Sequence, residues 1–260
     1  MSGSRRWIAA KLAFMKPFLL VSTRGEEEAL DSEYQAYLRA SGLERDELQL
    51  AEFDLLGLPP IDPKDYAGVF VAGSPYGGAS DDLYVSQTQQ NVRLELSDLF
   101  TQLLEAGTPL LATGTAMTVL GEVLGAKVSP DNAEFAELVD IELTDEGRQD
   151  PILSESPAVF IAYANHSEAI DALPEGSVRL ARSLYAPIQI VRHGDNVYAT
   201  QYNPELDAGL ISSKAQAFED AGDTGFGDVE ALVAAGRYTS GTHAAASVIK
   251  GFADHFKDRP

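Results

Sequence analysis

The stretch Pro109–Leu110–Leu111–Ala112–Thr113–Gly114–Thr115–Ala116–Met117–Thr118–Val119–Leu120–Gly121–Glu122–Val123–Leu124–Gly125 puts a strand, a turn and a helix in immediate succession. Residues 109–112 are short and apolar, as a fully buried strand requires. Thr113–Gly114–Thr115–Ala116 is a dense turn. A helix opens there, runs to Leu124 and closes on Gly125, the residue type best suited to end one.

The same alternation extends upstream. Pro17–Phe18–Leu19–Leu20–Val21–Ser22 reads as a buried strand. Glu26 to Ala40 follows with Leu30, Tyr34, Tyr37 and Leu38 at helical spacing, and Gly42 ends it. The run Glu26–Glu27–Glu28 places carboxylates at the positive end of that helix dipole. A strand fits Leu48 to Leu55, and another fits Gly68 to Ala72, running into Gly73–Ser74–Pro75–Tyr76–Gly77–Gly78. A long helix fits Val85 to Ala106, with Gly107 after it. Strands alternating with helices predict an α/β fold, with a mostly parallel central sheet and helices on both faces. Ligands of such sheets bind outside the carboxyl ends of the strands. The turns after Val71 and Leu111 are therefore where chemistry is expected.

The second half is different. Short strands are predicted at Val139–Leu143, Val159–Tyr163, Val178–Ser183, Pro187–Arg192 and Val197–Gln201, with His193–Gly194–Asp195–Asn196 as the hairpin turn between the last two. This predicts antiparallel strands added at the sheet's edge. Helices are expected at Ala208 to Ala221 and Thr242 to Phe256, with a glycine-rich loop over Gly222 to Gly227. The second helix carries Ala245, Val248, Ile249, Phe252 and Phe256 on one stripe, which suits packing on the domain or a dimer seam. The organisation expected is an N-terminal extension over residues 1–15, an α/β domain over 16–206, and a C-terminal helical extension over 207–260 packed on the same domain.

Composition narrows the function. In 260 residues there are 40 Asp plus Glu against 19 Lys plus Arg, a formal charge of −21. Binding to phosphate polymers rests on Lys and Arg, so nucleic acid and anionic membrane surfaces are not expected as partners. The absence of cysteine removes disulfides, thiolate metal sites and thiol nucleophiles, and fits a reducing cytoplasm. No apolar run reaches the ~20 residues of a membrane helix. The segment Met1 to Phe14, with Arg5, Arg6 and Lys11, is too interrupted for a secretory signal.

Three places have residues fit for chemistry. The turn at Thr113–Gly114–Thr115 stands at a helix N-terminus, where backbone N–H groups stabilise negative charge. In a nucleophile elbow the projected residue is Ser or Cys, but here the apex is Gly114. Taken alone, the turn reads better as a plain strand-to-helix connection. Gln201–Tyr202–Asn203–Pro204–Glu205 points Asn203 and Glu205 out of a strand end. Asparagine takes no proton near neutrality, and a surface turn with a capping Glu also fits. Asn165–His166–Ser167–Glu168 follows a strand, where a lone histidine is commonly structural. The other histidines show no metal-ligand spacing, so no metal and no cofactor is expected. Gly73 to Gly78 lacks the lysine of a phosphate loop.

Taken in order, these stretches resemble the class I glutamine amidotransferases, in particular the amidotransferase domain of GMP synthase. Val69–Phe70–Val71–Ala72–Gly73–Ser74–Pro75 is similar to that family's oxyanion strand and turn. Pro109 to Val128 is similar to its nucleophile elbow and helix. Asn165–His166–Ser167–Glu168 resembles the segment near the glutamine pocket. Gln201–Tyr202–Asn203–Pro204–Glu205 resembles Gln-Phe-His-Pro-Glu, the source of the triad histidine and glutamate. The resemblance implies the flavodoxin-like fold of that family. It places the nucleophile at Gly114, the base at Asn203 and the third triad member at Glu205, with Gly73, Ser74, Thr115 and His166 as oxyanion or ligand-binding positions.

Two of the three triad positions therefore lack the needed chemistry. The resulting expectation is a triad-degenerate homologue without glutaminase activity. It would bind a small amide or carboxylate such as glutamine, or serve a partner synthetase as its subunit. The alternatives are an amidohydrolase using Thr113 or Thr115 as nucleophile with His166 as base, and a dimerising interaction module.

Overall fold

The structure is a computed structural model that describes residues 16–54, 57–74, 87–207, 210–211, 234 and 242–258. The N-terminal segment before Lys16, the part of the Gly73–Gly78 turn beyond Ser74, and the Gly222–Gly227 loop lie outside the described residues. So does nearly all of the Ala208–Ala221 helix.

The chain order begins with β1 (Phe18–Ser22), α1 (Glu27–Ser41), β2 (Leu48–Glu52), β3 (Gly68–Val71), α2 (Gln87–Ala106), β4 (Leu110–Thr113) and α3 (Thr115–Val123). It continues with β5 (Val128–Ser129), β6 (Glu134–Leu143), α4 (Asp145–Gln149), β7 (Val159–His166), β8 (Ala169–Ile170), β9 (Ser177–Arg182), β10 (Ile190–His193) and β11 (Val197–Thr200). The described chain ends in α5 (Thr242–Ala245) and α6 (Ser247–Phe256).

Nine strands form one sheet in the order β2-β1-β3-β4-β11-β10-β9-β6-β7. The pairs β1–β2, β1–β3, β3–β4 and β4–β11 are parallel, and β10, β9, β6 and β7 extend the sheet by antiparallel pairing. This is the α/β architecture expected, with the antiparallel strands at one edge. Strand alternation separates two apolar layers. Phe18, Leu20, Phe70, Leu111 and Tyr198 pack with Tyr34 and Tyr37 of α1 and with Val248, Ile249, Phe252 and Phe256 of α6. On the other face Leu19, Val21, Val69, Val71, Leu110 and Ala112 meet α2 and α3 through Val92, Leu96, Phe100, Met117 and Leu120.

Several boundaries differ from the sequence expectation, for physical reasons. Strands β6 and β7 are longer than Val139–Leu143 and Val159–Tyr163. The added residues include Glu134, Glu137, Asn165 and His166, whose polarity hides their pairing from an apolar pattern. Strand β2 stops at Glu52. The Thr242–Phe256 helix breaks at Ala246 into α5 and α6, and its apolar stripe is buried in the core beside β1 and β3. Helix α4, unforeseen from the pattern, is a single turn capped by the Thr144 hydroxyl accepting from Gly147 N–H at 3.0 Å.

Candidate functional site

The site lies where β1, β3, β4 and β11 end side by side. Helix α3 is buried on most of its surface, so the chain must reverse sharply between Thr113 and Thr115. Gly114 makes that reversal at φ 56° and ψ −128°, a conformation L side chains rarely adopt. It remains tied to the sheet, its N–H donating to the Thr200 carbonyl at 2.8 Å.

The side chain of Asn203 fills the crest of this bend. An ideal Cβ on Gly114 would stand 2.3 Å from Asn203 Oδ1, and one on Gly73 would stand 2.2 Å from the same atom. The Asn203 carboxamide thus occupies the volume that a side chain at either position would need. Its Oδ1 is buried and has no hydrogen-bond partner among the described residues.

Thr115 ties the β3 turn to the start of α3. Its Oγ1 accepts from the Ser74 N–H at 2.7 Å and donates to the Ser74 carbonyl at 2.9 Å. The Ser74 amide, an oxyanion donor by the resemblance, is engaged inside the molecule. Thr113 is also committed. Its fully buried hydroxyl shares a 3.0 Å hydrogen bond with the Tyr37 hydroxyl and lies 3.4 Å from the Val71 carbonyl.

Beneath the bend is a buried polar cluster that sequence reasoning missed. Arg24 donates to Glu33 Oε1 at 2.9 Å and to the Gly73 carbonyl at 3.2 Å, and Ser22 donates to Glu33 Oε2 at 2.5 Å. Burial alone would lower the Arg24 pKa, but the carboxylates of Glu33 and Glu205 outweigh it and raise the value. The Tyr37 phenol is held well above its ordinary value, first by burial and then by the charge of Glu205. Glu205, only 5% exposed, is thus close enough for its charge to act on Arg24 and Tyr37. A sequence signal existed. Glu33 sits three residues from Leu30 and four from Tyr37, on the buried stripe of α1, where a carboxylate needs a cation.

His166 belongs to a separate buried network. Its Nδ1 faces the Glu168 carbonyl at 3.1 Å and its Nε2 faces Glu134 Oε2 at 2.9 Å. Ser183 and Gln189 both donate to Glu134 at 2.5 Å. Burial would push the Glu134 carboxyl up, but the hydrogen bonds from His166, Ser183 and Gln189 hold it below the ordinary range. Gln201 Nε2 reaches the same Glu168 carbonyl at 3.2 Å, which joins this network to the strand leading to Asn203. Both ring nitrogens of His166 are taken, and both candidate threonine hydroxyls are bonded elsewhere. The structure therefore forms no threonine–histidine pair. No group of three or more His, Asp or Glu fit for a metal occurs among the described residues, and no helix among them is long and apolar enough to cross a membrane.

Comparisons with known proteins agree with the fold. A family model described as glutamine amidotransferase class-I matches residues 54–215. The GMP synthase (glutamine-hydrolysing) of Thermomicrobium roseum is 35% identical over 104 residues, 40% of this chain and 19% of that protein. A GMP synthase (glutamine-hydrolysing) subunit from Haloquadratum walsbyi is 31% identical over 105 residues, 40% of this chain and 55% of that one. The chain thus spans little more than half of the one relative's length and about a fifth of the other's. The crystal structure of a glutamine amidotransferase from Thermotoga maritima superposes with a TM-score of 0.73. It covers 94% of this chain and 99% of that one at 16% identity, a likeness of fold alone.

Proposed function

The chain belongs to the class I glutamine amidotransferase family, and from that membership we propose that it is a triad-degenerate member that does not hydrolyse glutamine. The observation that carries this reading is the Asn203 carboxamide lodged against Gly114 and Gly73. In amide hydrolysis of this kind a nucleophile attacks the carbonyl while an adjacent base takes its proton. Gly114 has no nucleophilic atom, and Asn203 has no basic one. The carboxylate of the motif, Glu205, acts by its charge on Arg24. Losing one member of a nucleophile–base unit costs orders of magnitude in rate, and two are missing here.

What remains is a preserved bend on an intact amidotransferase fold. Its role on this reading is to dock on a synthetase partner in the manner of a glutaminase subunit. The match to a relative that is itself a separate GMP synthase subunit supports this. A cysteine-free chain suits a reducing cytoplasm for that work.

The test is ammonia release from L-glutamine by the purified chain. No release above the rate without protein is expected. Robust release that disappears in Glu205→Ala would overturn the reading, because it would show a working unit built around that carboxylate.

A further inference from the structure

We infer that Glu134 and His166 form a buried, pH-sensitive latch: a carboxylate–imidazolium pair that fastens the turn between β9 and β10 and loosens it when the ring loses its second proton.

A neutral imidazole has one N–H and one acceptor nitrogen, and only the charged ring has two N–H groups. His166 Nδ1 lies 3.1 Å from the Glu168 carbonyl, which can only accept, so Nδ1 is a donor. Nε2 lies 2.9 Å from Glu134 Oε2, so a proton stands between those two atoms as well. Burial would push the Glu134 carboxyl up, but the hydrogen bonds from His166, Ser183 and Gln189 hold it below the ordinary range, which puts that proton on the ring. Both side chains are out of water, at 1% and 0% exposure. A lone charge there would be costly, and each of the two answers the other. The charged groups on neighbouring elements are answered elsewhere. Arg182 of β9 is paired with Glu142 at 2.8 Å, and the Glu168 carboxylate lies 3.9 Å from Arg93 Nη1 of α2. Glu137 of β6, opposite Ala164, is only half-buried.

The pair is joined to the turn by hydrogen bonds. Glu134 Oε1 accepts from the Ser183 hydroxyl at 2.5 Å, and Oε2 accepts from Gln189 Nε2 at 2.5 Å. With its proton given to Glu134, Ser183 Oγ accepts from the Ala186 N–H at 3.0 Å and from Gln189 Nε2 at 3.1 Å. The Ser183 N–H closes the turn on the Ala186 carbonyl at 2.9 Å. The tip is Leu184 and Tyr185, 85% and 61% exposed. Ile190 pairs with Ala181 and with Thr200, and Thr200 pairs with Thr113. The turn therefore stands at the same end of the sheet as the Gly114 bend. Loss of the Nε2 proton turns a ring lone pair on the carboxylate and leaves Glu134 buried without its cation. The 2.9 Å contact becomes repulsive, and one of the two side chains must move. Ser183 then loses the acceptor that aims its hydroxyl, whose alternative is the Ala186 carbonyl at 3.3 Å. The latch thus sets, by pH, how firmly an exposed apolar tip is held.

The experiment reads the ring and the turn together. Ring nitrogen NMR spectra and hydrogen exchange of the Ala186 amide are recorded near neutral pH for the wild type, Glu134→Gln and Ser183→Ala. The wild type is then followed in steps from about pH 5 to about pH 9. Amide spectra establish that each variant is folded. In the wild type both His166 nitrogens should be protonated at neutral pH. In Glu134→Gln only Nδ1 should be, because the new amide donates to Nε2, and Ala186 should exchange at least about fivefold faster, the worth of one hydrogen bond. Ser183→Ala should show the same faster exchange with both ring protons kept, which separates the pair from the turn it holds. A singly protonated wild-type ring at neutral pH overturns the inference. So does a Glu134→Gln ring that keeps both protons, or an Ala186 exchange rate that stays unchanged where the ring has lost one. Should Glu134→Gln fail to fold, the wild-type ring at neutral pH and the pH steps decide: loss of the Nε2 proton without faster Ala186 exchange, corrected for the intrinsic pH effect, refutes the latch.

Discussion

Replacing Gly114 with alanine puts a methyl group into the volume that Asn203 holds. Two costs add. The first is conformational, because a φ of 56° with ψ −128° is foreign to an L side chain and costs about 1–3 kcal/mol. The second is steric, because the new Cβ would stand 2.3 Å from Asn203 Oδ1. The Asn203 amide cannot simply swing away, since Gly73 bounds it on the other side. Overpacking of this kind costs about 1–3 kcal/mol. The total expected for Gly114→Ala is about 2–6 kcal/mol. Asn203→Ala alone removes an acceptor that lacks a partner but leaves the volume beside Gly73 and Gly114 empty, so its cost is about 1–2 kcal/mol. In the double variant the steric cost is gone. The two substitutions should therefore couple by about 1–3 kcal/mol, with the double variant more stable than the sum of the singles predicts. Urea denaturation of the four proteins measures this. Additivity within about 0.5 kcal/mol would refute the packing argument, and with it the claim that Asn203 occupies the place of a side chain at position 114.

Other expectations follow from the buried polar clusters and the core. Glu134 has a folded pKa below its ordinary value, because the hydrogen bonds from His166, Ser183 and Gln189 outweigh the effect of burial. Its stabilisation is then full above the unfolded value of about 4.3 and is lost as pH falls through the folded value. Glu134→Gln should be less stable at neutral pH and show a flatter acid limb in stability measured at stepped pH, whereas parallel limbs would count against it. Arg24→Met leaves Glu33 and Glu205 without their shared cation and should cost about 3–5 kcal/mol by chemical denaturation. Adding Glu33→Gln should recover part of that loss, and no recovery would mean that the charge is not the cause. Phe252→Ala, at the meeting of Phe18, Phe70, Tyr198 and Phe256, should cost about 3–5 kcal/mol. A loss under about 1 kcal/mol would show that α6 adds little to the core.

The parallel half of the fold was legible because its strands are buried on both faces. Phe18–Ser22, Gly68–Val71 and Leu110–Thr113 have no solvent side, so their apolar runs are unbroken. The glycines at 42, 107 and 125, all at positive φ, marked the helix ends. The antiparallel edge was legible only in part. Glu134 and His166 are buried strand residues that bond each other, and Glu134 also accepts from Ser183 and Gln189, distant in sequence, and no local pattern shows such partners. Gly73, Ser74, Gly114, Thr115 and Asn203 lie together at the bend. What sequence could not supply was the direction of two side chains. The Thr115 hydroxyl turns to Ser74 rather than to His166, and the Asn203 amide turns into the bend rather than to solvent.

The shape of the bend follows from what each part must do for the fold. The reversal at Gly114 is imposed by packing. Strand β4 lies inside the sheet between β3 and β11, and α3 must fold back at once onto α2 and the sheet to bury Met117, Val119 and Leu120. A φ of 56° is the local solution to that constraint, whatever side chain the residue bears. The reaction imposes a different constraint, a nucleophile and a base in contact at the crest. Glycine satisfies the first without strain and cannot satisfy the second. Once position 114 carries no side chain, the emptied volume must be filled or lose its dispersion contacts. The Asn203 carboxamide fills it only because Gly73 and Gly114 both lack a Cβ. The three residues form one packing unit. A cysteine placed at 114 by itself would meet the Asn203 amide before it met any substrate. On the proposed reading, introducing hydrolysis would therefore take changes at 114 and 203 together.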